Sequence, residues 1–258
     1  TLSEQRMRQL RGHQVAMIFQ EPMTCLNPVM TVGQQIAESV RLHLGLDQAA
    51  ANARALRALE QVEIPAAHQR FHEYPHQLSG GMRQRVMIAM SMVCEPRLLI
   101  ADEPTTALDV TIQAQILNLM SRLQKDTGMA MLFITHNLGV VAHHAERVAV
   151  MYAGQIVEHG KVNEVFAIPQ HPYTQALLAA APHIELERRS RRKALVRGEL
   201  PDPRNPPSGC RFRTRCPFAM DRCASEAPSL RAASNSAHSS ACHLSSPATS
   251  IGISNPPQ

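Results

Sequence analysis

Two adjacent acidic residues, Asp102 and Glu103, follow a short apolar segment at residues 98–101. Such a segment is typical of a buried strand, and the carboxyl ends of strands are where α/β sheets bind ligands. An aspartate at that place can hold Mg²⁺, directly or through water, and a glutamate one residue later can polarise an attacking water in phosphoryl transfer. Two acids after a strand also occur at the start of an ordinary helix. The pair alone therefore leaves a catalytic site and a helix cap open.

The Ser79-Gly80-Gly81 sequence is a second candidate, because it opens a predicted helix. A hydroxyl and unhindered backbone N–H groups at the positive end of a helix can bind phosphate. The same three residues are common in a simple turn and cap. His136, which follows an apolar run at residues 129–135, would by itself be read as an ordinary histidine. Only their combination with the acidic pair favours a phosphate site.

Four cysteines lie close together near the carboxyl end, with 5, 6 and 18 residues between them: Cys210, Cys216, Cys223 and Cys242. The segment around them is rich in Pro, Arg and Ser and cannot bury a core, so it needs a covalent or metal staple. Zinc favours close C-x2-C pairs, which are absent here, whereas iron–sulfur clusters accept more varied spacing. A cluster, a zinc ion and unliganded thiols all remain open. We expect Cys25 and Cys94 to be ordinary buried thiols.

The elements that must position these residues alternate between strand and helix, as in a parallel sheet with crossover helices. The pattern predicts strands at residues 15–19, 98–101 and 129–135, and helices at 32–44, 49–62, from 79 onwards and at 110–125. A hairpin follows, with strands at 148–152 and 155–158.

Composition excludes several classes of protein. The apolar fraction is 44 %, but no stretch is long enough to span a membrane, and the first residues lack a secretory signal pattern, which predicts a cytosolic chain. The net charge of +5 is concentrated in residues 188–215, which carry +8 locally, and the aromatic fraction is only 3 %. We therefore expect no nucleic-acid partner. The basic run at residues 188–193 is interpreted as a solvated face, with a contact to anionic lipid as the alternative.

The order and spacing of the motifs resemble the ATP-binding subunit of ABC transporters. Residues 78–85 read LSGGMRQR, residues 98–109 read LLIADEPTTALD, and His136 and Gln20 stand where that family has its switch histidine and its Q-loop. The resemblance implies an α/β fold of the P-loop NTPase class, with an ABC-type nucleotide-binding domain, a helical subdomain and a small Cys-rich extension. We place the ATPase domain at 1–181 with the helical subdomain at about 32–95, a basic, Pro-rich linker at 182–205, the Cys-rich extension at 206–245 and a disordered tail at 246–258.

Further motifs resemble the importers of dipeptides and oligopeptides among these transporters. They are MIFQEPMT at residues 17–24, YPHQL at 74–78 and HPYTQALL at 171–178; nickel and glutathione importers share much of this pattern. The resemblance implies ATP-driven import of peptides, with a second ABC ATPase subunit and two membrane permease subunits as partners and an extracytoplasmic binding protein acting indirectly. It also implies a place at the cytoplasmic face of the inner membrane. Alternatives are an incomplete subunit that lends only its signature face to a partner, or a soluble ABC ATPase of translation or DNA repair.

The resemblance implies roles for the residues of the hydrolytic site and a pair of cofactors, ATP and Mg²⁺. Asp102 and Gln20 would contact Mg²⁺, Glu103 would be the general base, and His136 would reach the γ-phosphate. In a head-to-tail dimer, the nucleotide held by one subunit would be contacted from the other by Ser79, Gly80, Gly81, Gln84 and Asp109. In the carboxyl-terminal region the resemblance implies a [4Fe–4S] cluster on Cys210, Cys216, Cys223 and Cys242.

One family element is missing from the sequence, the Gly-rich phosphate loop ending in Gly-Lys-Ser/Thr that cradles the phosphates. Either the chain is the carboxyl-terminal part of a longer subunit, or it is a truncated product; we expect a fragment or a truncated reading frame, since a whole block is missing. A polypeptide of these 258 residues should then neither bind ATP tightly nor hydrolyse it.

Overall fold

A computed structural model describes residues 2–21, 25–106, 108–181, 198–232 and 237–245 of the chain. The chain divides into two compact units, residues 1–136 and 137–258. The division falls inside the segment 1–181 that we predict as one ATPase domain. The basic run at 188–193 and the tail at 246–258 lie outside the described residues, as do residues 22–24 of the Q-loop motif.

The first unit is built on a three-stranded parallel sheet with the order β1 (Val15–Ile18), β2 (Leu98–Asp102) and β3 (Ala130–Ile134). Side chains alternate between the two faces of a strand. One face is buried in the core through Ile18, Leu99 and Ala101. The other face carries apolar side chains that are partly exposed, including Leu132 at 52 %. The predicted alternation of strands and helices is confirmed.

The described residues of the same unit form six α-helices: α1 (Glu4–Leu10), α2 (Val32–Leu44), α3 (Gln48–Gln61), α4 (Ala67–Arg70), α5 (Gly80–Met92) and α6 (Val110–Thr127). Most begin at a side chain that satisfies a free backbone N–H of the first turn. Thr31 and Gln34 form a capping box at α2, and Asp47 accepts a hydrogen bond from the Ala50 N–H at α3. The main core is formed by side chains from these helices and the sheet, among them Ile36, Leu59, Ile88, Ile116 and Met120.

The second unit contains α7 (Leu138–His144), β4 (Arg147–Tyr152), β5 (Gln155–Lys161), α8 (Val162–Ala167), α9 (Pro172–Ala180), α10 (Arg222–Ser225), β6 (Arg231–Ala232) and β7 (Ser239–Ser240). The predicted hairpin is β4 and β5. Antiparallel pairing extends it to a four-stranded sheet with the order β4-β5-β7-β6, so the Cys-rich segment adds two short strands. Phe212 of that segment is 1 % exposed and packs with Tyr152 and Val157. The sequence analysis did not predict this apolar contact.

Among the described residues, none of the helices combines the length and the apolar character that a membrane span requires.

Candidate functional site

The carboxyl end of β2 places Asp102 and Glu103 at the same edge of the sheet as the end of β3. Asp102 is the last residue of β2 and lies opposite Ile134. The Glu103 N–H donates a hydrogen bond of 2.9 Å to the Ile134 carbonyl oxygen. Glu103 has a φ of 44°, in the left-handed region that side chains with a Cβ rarely adopt. Strained backbone of this kind is concentrated at functional sites, so the geometry favours a functional role for the residue.

Three side chains donate hydrogen bonds to the Glu103 carboxylate. His136 Nδ1 lies 2.9 Å from Oε1, while Thr106 Oγ1 and Gln20 Nε2 donate to Oε2 over 2.8 Å and 3.3 Å. The hydrogen bonds from His136 and Thr106 lower the pKa of Glu103, because they favour its charged form. The carboxylate is therefore ionised at neutral pH and held in one orientation.

Asp102 and Gln20 fit the place predicted for Mg²⁺. The half-buried Asp102 carboxylate makes no hydrogen bond or ion pair within the described part of the chain, which leaves it available to a ligand. Gln20 is exposed and reaches the Glu103 carboxylate from the end of β1. Mg²⁺ is bound by oxygen ligands and commonly uses one or two protein side chains together with substrate phosphates. The donors at this edge of the sheet therefore match that metal.

The signature sequence begins α5. The Ser79 hydroxyl accepts a hydrogen bond of 3.3 Å from the Met82 N–H, and Ser79 and Gly80 are exposed. A Cβ on Gly81 would lie 2.9 Å from Cγ2 of Ile112, in the first turn of α6. Glycine at this position thus allows the start of α5 to pack closely against the start of α6.

The remaining two predicted nucleotide contacts differ from each other. Asp109 is exposed and caps α6, where its carboxylate accepts a hydrogen bond of 2.9 Å from the Ile112 N–H. Gln84 is only 2 % exposed and lies on the core side of α5, four residues before the buried Ile88. We leave Gln84 out of the proposed nucleotide contacts, because its side chain is enclosed by the core.

The structure thus brings Gln20, Asp102, Glu103 and His136 together at one edge of the sheet. Sequence reasoning missed Thr106, the third donor to Glu103. Its signal was weak: a hydroxyl three residues after a predicted catalytic acid, in a segment that the structure forms as a turn.

The four carboxyl-terminal cysteines line one cavity of the second unit, together with His171 and Phe212. The Cys210 N–H donates a hydrogen bond of 2.8 Å to the Cys223 carbonyl oxygen. Burial, with the neighbouring thiols adding to it, raises the pKa of Cys216 to about 11. Burial lowers the pKa of His171 to about 4, so its ring is neutral at pH 7. Burial also raises the pKa of Cys210, so without a bound metal the thiols of Cys210 and Cys216 are protonated at neutral pH.

All six cysteines are described, and none of them forms a disulfide. Within the described ranges, no three His, Cys, Asp or Glu side chains are grouped so that they could hold a metal ion. Each thiolate ligand of a [4Fe–4S] cluster binds a different iron, so its four ligands need to surround a cavity and do not converge on one ion. The structure thus places the four thiols at one cavity.

Comparisons with known proteins agree with this arrangement. The family described as "ABC transporter" matches residues 1–106, and the family described as "Oligopeptide/dipeptide transporter, C-terminal region" matches residues 157–223. Two solved structures are similar in fold. The ATP-binding cassette MJ0796, in a dimeric post-hydrolysis state with ADP and Pi, has a TM-score of 0.56 and 26 % identity, over 62 % of this chain and 68 % of that one. CbiO1 of Clostridium perfringens, part of an ABC transporter complex, has a TM-score of 0.55 and 29 % identity, over 63 % and 61 %.

Two relatives are much closer in sequence. A Brucella melitensis protein, named provisionally as a peptide import ATP-binding protein, is 54 % identical over 245 residues, which cover 93 % of this chain and 72 % of the relative. The dipeptide transport ATP-binding protein DppD of Escherichia coli K12 is 51 % identical over 242 residues, which cover 94 % and 73 %. The chain therefore belongs to the ATP-binding subunits of peptide-class ABC importers, a family of ATPases coupled to transport.

Proposed function

We propose that Glu103 is the general base of an ATP hydrolysis reaction that drives import of dipeptides and oligopeptides. The observation that carries the proposal is the Glu103 carboxylate, which stands at the carboxyl end of β2 on strained backbone and accepts hydrogen bonds from Gln20, Thr106 and His136. An ionised carboxylate in a fixed orientation can accept the proton of an attacking water. The names of the relatives supply the substrate class.

The neighbours of Glu103 take the other roles in hydrolysis. Asp102 and Gln20 would hold Mg²⁺, which, when bound, neutralises charge that develops on the phosphates. Gln20 also touches the base, so a movement of the segment after β1 would change the position of the base. The His136 ring contacts Glu103 through Nδ1, and its other ring nitrogen would reach the γ-phosphate.

A second ABC ATPase subunit, identical or related, would complete the nucleotide site. Ser79 and Gly80 are exposed at the start of the 13-residue helix α5, where backbone N–H groups and the helix dipole favour an anion. With Gly81 they would cover ATP bound by the partner, and Asp109 would link the two sites. The subunit would act at the cytoplasmic face of the inner membrane on two permease subunits, supplied by an extracytoplasmic binding protein. Those partners would choose which peptide is imported.

Peptide-stimulated hydrolysis in proteoliposomes tests the proposal. The assay uses a subunit that contains this chain together with a phosphate loop, assembled with its permease and binding protein. We expect Glu103→Gln to abolish peptide-stimulated phosphate release and peptide uptake while ATP binding persists. Glu60→Gln, a matched change on an exposed part of α3, should leave both intact. Uptake by the Glu103 variant at the wild-type rate would contradict the proposed role, and stimulation by nickel or glutathione alone would contradict the peptide assignment.

We also propose that Cys210, Cys216, Cys223 and Cys242 ligate a [4Fe–4S] cluster with a structural or regulatory role. Support comes from the shared cavity and from the absence of any disulfide among the six cysteines. Anaerobic purification followed by iron and sulfide analysis and a visible absorption spectrum tests this. Four irons and four sulfides per chain are expected. Colourless protein with one zinc, or with four freely titrating thiols, would contradict the cluster.

A further inference from the structure

A buried acid and a buried histidine lie in the second unit. Glu158 of β5 is 0 % exposed, and His238 is 4 % exposed. His238 Nε2 lies 2.6 Å from Glu158 Oε1, and the backbone N–H groups of Gln170 and His171 donate to the same carboxylate over 2.7 Å and 3.0 Å. Burying a carboxylate away from water costs free energy, which hydrogen-bond donors of this kind offset. Removing one of the donors therefore destabilises the fold.

These hydrogen bonds join three parts of the chain that are distant in sequence. Glu158 lies in β5, Gln170 and His171 directly precede α9, and His238 directly precedes β7. The strand β7 has only two residues, which pair with Glu158 and His159, and one further backbone bond of 2.8 Å runs from Ala241 N–H to the Val157 carbonyl. So short a pairing is marginal by itself. The buried pair therefore adds a side-chain attachment of this segment to the hairpin.

Cys242 lies two residues after β7, so the attachment of β7 to the hairpin contributes to its place at the cavity. On its other side, Nε2 of His243 lies 3.1 Å from the Glu226 carbonyl oxygen. The other three thiols lie on residues 210–223, which carry backbone hydrogen bonds of their own. Cys210 N–H donates to the Cys223 carbonyl over 2.8 Å, and Cys223 N–H donates to the Met220 carbonyl over 2.9 Å. These bonds do not involve the Glu158 side chain. Three thiols are thus held locally, and the fourth is brought from a separate segment.

We infer that Glu158 and His238 are positioning residues that bring Cys242 to the cavity formed by the other three cysteines. The inference rests on the proposed cluster site and says how that site is assembled. Glu158 also positions the backbone of His171, whose ring lines the same cavity. The contacts assign no ligand role to Glu158 or His238 themselves.

Differential alkylation of the metal-free full chain, read by mass spectrometry at each cysteine, tests the inference without a cluster. In Glu158→Gln the amide N–H₂, itself a donor, would lie against N–H donors that the carboxylate accepts in the wild type. In His238→Ala the imidazole donor to Glu158 is lost. We expect Cys242 to react roughly tenfold or more faster in both variants, because breaking a buried pair exposes the attached segment to local opening. The protection of Cys223, which is 8 % exposed, should change little.

Two further variants separate positioning from general loss of structure. His238→Gln retains an N–H donor of similar reach and should restore much of the protection of Cys242. Glu226→Gln, an exposed acid bonded to Arg222, makes the same chemical change nearby and should have no effect. Unchanged reactivity of Cys242, or an equal rise at Cys210, Cys216 and Cys223, would overturn the inference. Absence of iron from the wild-type chain after anaerobic purification would contradict the proposed cluster but leave the alkylation result valid.

Discussion

The two units of the molecule hold their chemically important side chains in opposite ways. In residues 1–136 one continuous apolar core packs on one face of the sheet and supports polar groups at its edge, including the half-buried Glu103 on strained backbone. In residues 137–258 the apolar clusters are small, and a buried carboxylate with three donors joins the hairpin to the segment that carries Cys242.

This contrast separates two uses of polar residues. At the sheet edge the core supplies stability and the polar groups are available for chemistry, so replacing them should affect catalysis and leave folding intact. Around the cysteines the polar groups and thiols are themselves part of what orders the backbone. Replacing them should affect order and leave hydrolysis intact.

The largest effect, on ATP turnover, is expected for Glu103→Gln in a subunit that contains this chain together with a phosphate loop. The amide cannot accept the proton of water, so turnover should fall by about 10² to 10⁴. The midpoint of thermal unfolding should stay at the wild-type value or change little, because the side chain contributes nothing to the core. Phosphate release and calorimetry on the same preparation check both halves. A large loss of thermal stability would break the contrast.

A similarly large effect, on the Cys-rich segment and not on hydrolysis, is expected for Cys223→Ser. Losing one thiolate should remove most of the iron, whereas the turnover of ATP should change less than twofold. Cys94→Ser, at a thiol buried in the first unit, is the matched control and should retain iron. Iron content and phosphate release are measured on the same preparation. Retention of all the iron by the Cys223 variant would argue against its place in the ligand set.

A smaller effect is expected for Gly209→Ala. The added Cβ would lie 2.4 Å from the Cys223 carbonyl oxygen, and the residue has a φ of 64°. We expect a loss of about 2 to 4 kcal/mol in the free energy of unfolding, since backbone cannot move aside as a side chain can. Gly128→Ala has a similar φ of 67° but nothing within 4 Å, so it should cost only about 1 kcal/mol. Urea titrations of the two variants give the comparison, and equal losses would show that the close approach to Cys223 has no effect.

The smallest effect is expected for Thr106→Ala. Removing one of three donors to Glu103 should lower turnover by roughly 3- to 10-fold, which corresponds to the net strength of one hydrogen bond. The Michaelis constant for ATP should be unchanged, and Thr106→Ser should restore turnover because it retains the hydroxyl. Steady-state kinetics of the three proteins check this. No rescue by serine would mean that the methyl group of Thr106, and not its hydroxyl, is what the site requires.

Local patterns were enough to predict much of the fold. The predicted helix at residues 32–44 agrees with α2, because apolar periodicity, the Thr31 capping box and Gly45 at its end all mark the same bounds. Contacts between distant residues could not be predicted. The φ of Glu103 depends on the pairing of β2 with β3, and the Glu158–His238 contact joins residues 80 positions apart. The burial of Gln84 was readable, since a residue four positions before Ile88 shares its helix face.

The left-handed backbone at Glu103 also sets a limit on how stable this subunit can become. A residue with a Cβ loses about 1 to 2 kcal/mol in this conformation, and glycine does not. A screen that selects only for resistance to heat or denaturant should therefore enrich Glu103→Gly, although that variant has no carboxylate to accept a proton. Stability and turnover thus compete at a single backbone position, and any effort to make the subunit more robust must keep Glu103 fixed while it improves the core elsewhere.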